Sequence, residues 1–172
     1  MSVFIRKGTV NDAQILLSIQ KTVVSERKYL IALPHEFSKT VDQQKEWIEG
    51  ILQNERDMLL VAEKNGEVAG CIVFQANSSK ERVAHKGDFG LFLSPEHRGH
   101  GIGRMLLQEL LDWAEKNPNI EKVCLGVFSI NERAIALYKK LGFLEEGRKV
   151  REFKFGEDEY VDDILMYKWV KQ

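Results

Sequence analysis

The sequence is poor in the residues that staple, metallate or anchor a protein. Two cysteines, Cys71 and Cys124, each lie in an apolar strand-like run. That excludes a disulfide framework or a cysteine zinc site and suits buried core thiols. The four histidines, His35, His85, His97 and His100, lack the helical H-E-x-x-H spacing, so no metal is expected. No stretch approaches the roughly 20 apolar residues of a spanning helix, and the start MSVFIRKGTVNDAQ has no signal-type apolar core. The expectation is a cytoplasmic protein with no membrane partner. Prolines number only 3 and no linker-like stretch, repeat or low-complexity tract appears, so one domain is expected over residues 1–172. Neither sign of charge dominates, with 25 basic and 26 acidic residues. Without a global field to recruit nucleic acid, any charged partner must be recognised locally.

What is present is an ordinary folded composition, 44% hydrophobic and 30% charged, arranged in clear periods. Val3 to Arg6 is expected as a short strand. Thr9, Asn11 and Asp12 supply capping chemistry for a helix carrying Ile15, Leu16, Ile19 and Val23. A second amphipathic helix is expected from about Thr40 to Asn54. Met58 to Glu63 and Glu67 to Gln75 are apolar runs joined across Asn65 and Gly66, a hairpin signal. A long strand should run from about Val83 to Leu93. Leu106, Leu107, Leu110, Leu111 and Ala114 then recur at helical spacing. Lys122 to Phe128 is expected as a buried strand, Asn131 to Leu141 as a short helix, and Gly142 opens a final strand pair.

Between the long strand and the leucine-rich helix lies Arg98, Gly99, His100, Gly101, Ile102, Gly103, Arg104. Three alternate glycines at the positive end of a helix let the backbone approach a ligand and aim successive N–H groups into one concavity, a site suited to a pyrophosphate. A Walker loop would need Lys and Ser/Thr after the last glycine, where Arg104 and Met105 stand. The dinucleotide fingerprint fails because Ile102 or Arg104 occupies its third glycine position.

Arg98, Gly101 and Gly103 do match the Q/R-x-x-G-x-G/A signature of the GNAT acetyltransferases, and SINERAIALYKKLGF, residues 129–143, resembles that family's second conserved region. The resemblance spans about residues 84–145. It implies an α/β (α+β) GNAT fold: a mixed, mostly antiparallel sheet of about seven strands flanked by about four helices, with two strands splayed at an acetyl-CoA site. By the resemblance, the strands at 84–93 and 122–128 start paired and then part. Leu91, Phe92 and Leu93 would offer backbone groups to the pantetheine arm, and the loop from Arg98 to Arg104 would hold the pyrophosphate. An ordinary continuous ladder is the alternative.

Further roles follow from the same resemblance. Asn131 would bond the coenzyme arm, although plain N-capping explains an Asn there equally well. Tyr138 would assist the leaving thiolate, its rival role being core packing in the stripe Ala134, Leu137, Tyr138, Leu141. A lysine-like amine is neutral in only about one molecule in 2,500 at pH 7, so a base is needed. Asp88 is the candidate, a solvated strand-end carboxylate being the bland alternative.

The implied activity is transfer of acetyl from acetyl-CoA to a primary amine of a small molecule or amino acid, by direct attack in a ternary complex. The alternatives are a protein N-terminal or lysine acetyltransferase and a non-catalytic acyl-CoA sensor. The run EGRKVREFKFGEDEYVDDILMYKW, residues 146–169, resembles the small-molecule and amino-acid branch. Ser25 to Phe37 forms either a pocket wall or a packed inter-helix loop. The acidic stretch Glu157, Asp158, Glu159, Asp162, Asp163 attracts a cation or is a solvated hairpin tip. A homodimer would be in keeping with the family, though no motif reports one.

Overall fold

The computed structural model describes residues 2–172. In chain order the elements are β1 (Val3–Lys7), α1 (Ala13–Ser25), α2 (Val41–Gln53), β2 (Met58–Lys64), β3 (Glu67–Gln75), β4 (Lys86–Leu93), α3 (Ile102–Lys116), β5 (Lys122–Phe128), α4 (Glu132–Lys140), β6 (Leu144–Gly156) and β7 (Glu159–Trp169). Seven strands form one sheet in the order β1-β2-β3-β4-β5-β7-β6. Its pairs are antiparallel except β4 with β5.

Local chemistry accounts for the joints. Asn65 and Gly66 both take positive φ, 54° and 85°, the conformation a two-residue hairpin turn requires. Thr40 caps α2 reciprocally: its hydroxyl accepts from the Gln43 amide at 3.1 Å, and its own amide donates to Gln43 Oε1 at 2.9 Å. Arg6 grips the buried Asp12 carboxylate at 2.7 and 2.9 Å and the Thr9 amide donates to it at 2.8 Å, tying β1 to the entry of α1. Burial pushes the Asp12 carboxyl up, but the bonds from Arg6 and Thr9 outweigh it and leave the group below its ordinary range.

Helices cover both faces of the sheet. On one, Leu106, Leu107, Leu110 and Ala114 of α3 pack with Ile72, Phe74, Val123, Leu125 and Met166. On the other, Leu16 of α1 and Ile48 and Ile51 of α2 pack with Leu59, Val61, Cys71 and Val73. Strands buried on both sides explain the unbroken apolar runs in β2 and β3. Both cysteines are buried and free, as expected.

The boundaries depart from expectation at β4, which starts at Lys86 and not Val83. The preceding residues instead close a turn, with the Val83 amide donating to the Lys80 carbonyl at 3.0 Å. Among the described residues no helix is long and apolar enough to cross a membrane.

Candidate active site

The site begins as a defect in the sheet. β4 and β5 pair in parallel only at Lys86 with Lys122, Gly87 with Val123 and Asp88 with Cys124; beyond Asp88 the two strands part. β4 keeps its other edge bonded to β3 without a register shift from Asp88 to Leu93. The His85 carbonyl accepts the Glu121 and Lys122 amides, at 2.8 and 3.2 Å, on the β5 side, whereas the Ser94 amide donates to Ala69 on the β3 side. Alternation along a strand therefore aims the Phe89 carbonyl and the backbone groups of Leu91 and Leu93 into the fork, the Phe89 amide belonging to the last parallel pair with Cys124. On β5 the Val170 amide donates to Glu121 and the Ser129 amide to Asp162, both on the β7 side, so Gly126 and the Phe128 amide face the fork from opposite. Peptide groups left open in this way are available to a ligand.

The same alternation corrects one expectation. The amide and carbonyl of Phe92 belong to the β3 ladder, and Phe92 reaches the site only with its ring, which faces the side of the sheet covered by α1 and α2.

At the end of β4 the glycine loop turns into α3. Gly99 and Gly101 have φ of 80° and 79°, and a side chain at either position would be strained. Gly101 is the N-cap and no side chain caps the helix, leaving the first-turn amides of Ile102, Gly103 and Arg104 free for an anion. Gly103 packs against Leu91 and Leu93, seating the helix end on β4. Ile102 is buried while His100 and Arg104 are exposed, so Ile102 contributes through its backbone. Arg98 is already engaged. Its guanidinium holds Glu26 bidentately at 2.6 and 2.7 Å and donates to the Leu93 carbonyl at 3.1 Å, joining the end of α1 to the loop. The Arg98 bonds hold the Glu26 carboxyl below its ordinary range.

Tyr138 lies behind the fork, nearly buried, its ring edge-on to Phe89 at 5.7 Å and tilted against Phe143 at 5.9 Å. The Gly142-Phe143 pair fixes it there. Gly142 takes φ of 92°, its amide donates to the Lys139 carbonyl, and the Phe143 amide donates to the Tyr138 carbonyl at 3.0 Å, a Schellman close that tethers Tyr138 to β6. Burial pushes the Tyr138 hydroxyl up to about 12, with no hydrogen bond or charge offsetting it.

In front of the fork, on the opposite face, lies a cavity of about 510 Å³. Tyr29, Phe37, Trp47, Phe92, Phe128 and Phe153 provide its aromatic wall, and Lys39 and Asp163 are the two charged residues lining it. The loop between α1 and α2 is thus a pocket wall and not merely packing.

A model of the family described as "Acetyltransferase (GNAT) family" matches residues 25–143. The chain belongs to the GNAT acetyltransferase family. A GNAT acetyltransferase from Streptococcus pneumoniae superposes with a TM-score of 0.91 at 27% identity, over 98% of this chain and 99% of that one. A phosphinothricin acetyltransferase from Sinorhizobium meliloti, in complex with acetyl-CoA, shares the fold with a TM-score of 0.85 at 22% identity, covering 99% of this chain and 90% of that one. Among characterised relatives, the spermidine N(1)-acetyltransferase of Vibrio cholerae is 36% identical over 85 residues, 49% of each chain. The L-amino acid N-acetyltransferase AaaT of Escherichia coli is 28% identical over 120 residues, 70% of this chain and 73% of that enzyme. The match thus spans only about half of the spermidine enzyme's own length.

Against this GNAT frame the remaining expected residues fall unevenly. Asp88 is the last β4 residue paired to β5, exposed, and accepts a hydrogen bond from the Asn77 amide; it is not among the cavity-lining residues. Asn131 caps α4, its Oδ1 accepting from the Ala134 amide at 3.3 Å, so the capping alternative is realised for that atom. Among the described residues no group of three metal-ligating side chains occurs. Sequence inspection missed Lys39, and the open backbone of Phe89 and Gly126. It also pooled Asp163 with the hairpin tip. Strand alternation was the available signal: Asp162 turns to Arg148 and the Arg151 amide, while its neighbour Asp163 faces the cavity.

The Arg98 to Glu26 pair yields a pH prediction. A carboxylate held below its unfolded value stabilises the fold above that value, about 4.3, and the contribution disappears as pH falls through the lower folded value. Glu26→Gln should therefore cost about 0.5–1 kcal/mol at pH 7. In urea melts at a series of pH values, the gap from the parent protein should close below about pH 4.

Proposed function

We propose that this protein transfers acetyl from acetyl-CoA to the primary amine of a small molecule, by direct attack in a ternary complex. The observation that carries it is the β4 to β5 fork, whose open peptide edge runs to an uncapped helix N-terminus. These residues fit the coenzyme. The free amides of Ile102, Gly103 and Arg104 and the bare glycine backbone suit a pyrophosphate. Phe89, Leu91 and Gly126 suit the peptide-like groups of the pantetheine arm, and the Asn131 side-chain NH₂ is left to join them. Gly99, His100 and Arg104 border the phosphates, and Arg98 acts by holding the loop to α1. The Sinorhizobium enzyme of the same fold holds acetyl-CoA, and the relatives named for spermidine and amino-acid acetylation support an amine acceptor.

When bound, acetyl-CoA supplies an activated thioester carbonyl. The acceptor enters from the aromatic cavity on the opposite face of the sheet and arrives as an ammonium. Asp88, at the vertex of the fork and oriented by Asn77, takes its proton directly or through water. The neutral nitrogen then bonds to the carbonyl carbon, the C–S bond breaks, and the second N–H proton leaves as the thiolate becomes a thiol. Tyr138 stabilises that thiolate as a hydrogen-bond donor. Burial holds the Tyr138 hydroxyl up at about 12, above an ordinary thiol near 8.5, so full transfer from Tyr138 is uphill and the amine is the better source of the new thiol's proton. Alignment of amine and thioester supplies much of the remaining acceleration.

Three measurements check these assignments. Gly101→Glu places a carboxylate and a strained backbone where the phosphates lie, and calorimetric titration should show acetyl-CoA binding lost; unchanged affinity sinks the loop assignment. Tyr138→Phe should lower kcat by about 10- to 100-fold with coenzyme affinity unchanged. Asp88→Asn should lower kcat/KM most below the acceptor amine's pKa and least above it. A uniform loss across pH removes Asp88 from the proton path.

A further inference from the structure

Resting on the acetyl-transfer reading, we infer that the acceptor is a free amino acid with a large apolar side chain, its ammonium held by Asp163 and its carboxylate by Lys39. Three observations converge on this. The first is the charge inventory of the cavity, one carboxylate and one ammonium among its lining residues. That is complementary to a zwitterion. A polyamine would bring two or more ammonium groups to a single carboxylate and set one of them against Lys39.

The second is how the two charges are held. Asp163 stands on β7 opposite Phe128 of β5, and its carboxylate leans over Gly126. An added Cβ at Gly126 would lie 2.9 Å from Asp163 Oδ1, so glycine leaves room for the carboxylate to rest against the open edge of the fork. Lys39 joins the lining from the segment before α2, with Nζ 4.2 Å from the centre of the Trp47 ring. The indole face orients the ammonium without neutralising it, so its charge is available to a ligand. Burial holds the Lys39 ammonium below its ordinary range and lifts the Asp163 carboxyl above its own, as expected for charges that gain from a counter-ion.

The third is the aromatic lining. Phe128 and Phe153 stack with ring centroids 4.4 Å apart, and Phe37, Phe92 and Tyr29 continue an apolar surface with room for a side chain of leucine or phenylalanine size. A site of about 510 Å³ lies within the ordinary range for small-molecule pockets, about 300–1,000 Å³. A cavity walled in aromatics rewards an apolar side chain.

Acceptors that differ by one charge test the inference on the wild-type protein. Thiol release from acetyl-CoA is followed with phenylalanine, with phenethylamine (the same ring and amine without the carboxylate) and with spermidine. Phenylalanine should exceed both others in kcat/KM by about 10-fold or more, the worth of one charge-assisted contact. Lys39→Met should raise KM for phenylalanine to that for phenethylamine while leaving phenethylamine unchanged, and Asp163→Asn should weaken both. A preference for spermidine, or equal use of phenylalanine and phenethylamine, overturns the inference and leaves acetyl transfer standing. So does a Lys39→Met protein that loses both substrates equally. Coenzyme binding without thiol release on any of the three overturns acetyl transfer itself, and the inference with it.

Discussion

Everything in this molecule turns on an unfinished β-ladder. Three parallel residue pairs join β4 to β5, and beyond Asp88 and Cys124 the strands leave each other. A strand in the middle of a seven-stranded sheet then carries peptide groups with no protein partner, a costly arrangement unless something amide-like completes it. The fork is built in. Phe89, the first residue past the last pair, has its ring against Tyr138 and Phe143, so α4 fills the space behind the gap and α1 and α2 roof the space in front. The break separates two approaches, one along the glycine loop and one through the aromatic cavity, and brings them together at the same vertex.

The two approaches are mechanically connected. Arg98, a member of the glycine-loop signature, spends its guanidinium on Glu26 at the end of α1 and on the Leu93 carbonyl. The segment following Glu26 supplies Tyr29, Leu30, Ile31 and Ala32 to the cavity wall. Order in the coenzyme loop and order in the acceptor wall therefore share one ion pair. Arg98 thus ties the glycine loop to α1, and in the proposed reading contact to the phosphates falls to backbone amides.

Much of the architecture was legible because its signals are local. Asn65-Gly66 set a hairpin, Thr40 with Gln43 began a helix, and Gly142-Phe143 closed another. The glycine signature placed the turn into α3, since positive φ at Gly99 and Gly101 is a backbone demand that sequence reports directly. What stayed hidden depends on register and on distant packing. Phe92 looked like a backbone ligand until its pairing with Cys71 assigned its peptide groups to β3. Asp163 looked like one more charge near an acidic tip, because β6 carries register shifts between Glu145 and Gly156 and the face on which Asp163 lands follows from pairing with β5. Lys39 lies in an irregular segment, where no period announces a side chain folded onto Trp47.

Amide hydrogen exchange with and without acetyl-CoA tests the central claim most directly, since it reports open backbone groups gaining partners. Slowed exchange should be confined to Leu91 and Leu93 on β4, Gly126 on β5 and the first turn of α3, with β1 and β2 unchanged. Unaltered exchange along the fork in saturating coenzyme, or protection spread evenly over the sheet, would contradict the assignment of the broken ladder as the coenzyme site.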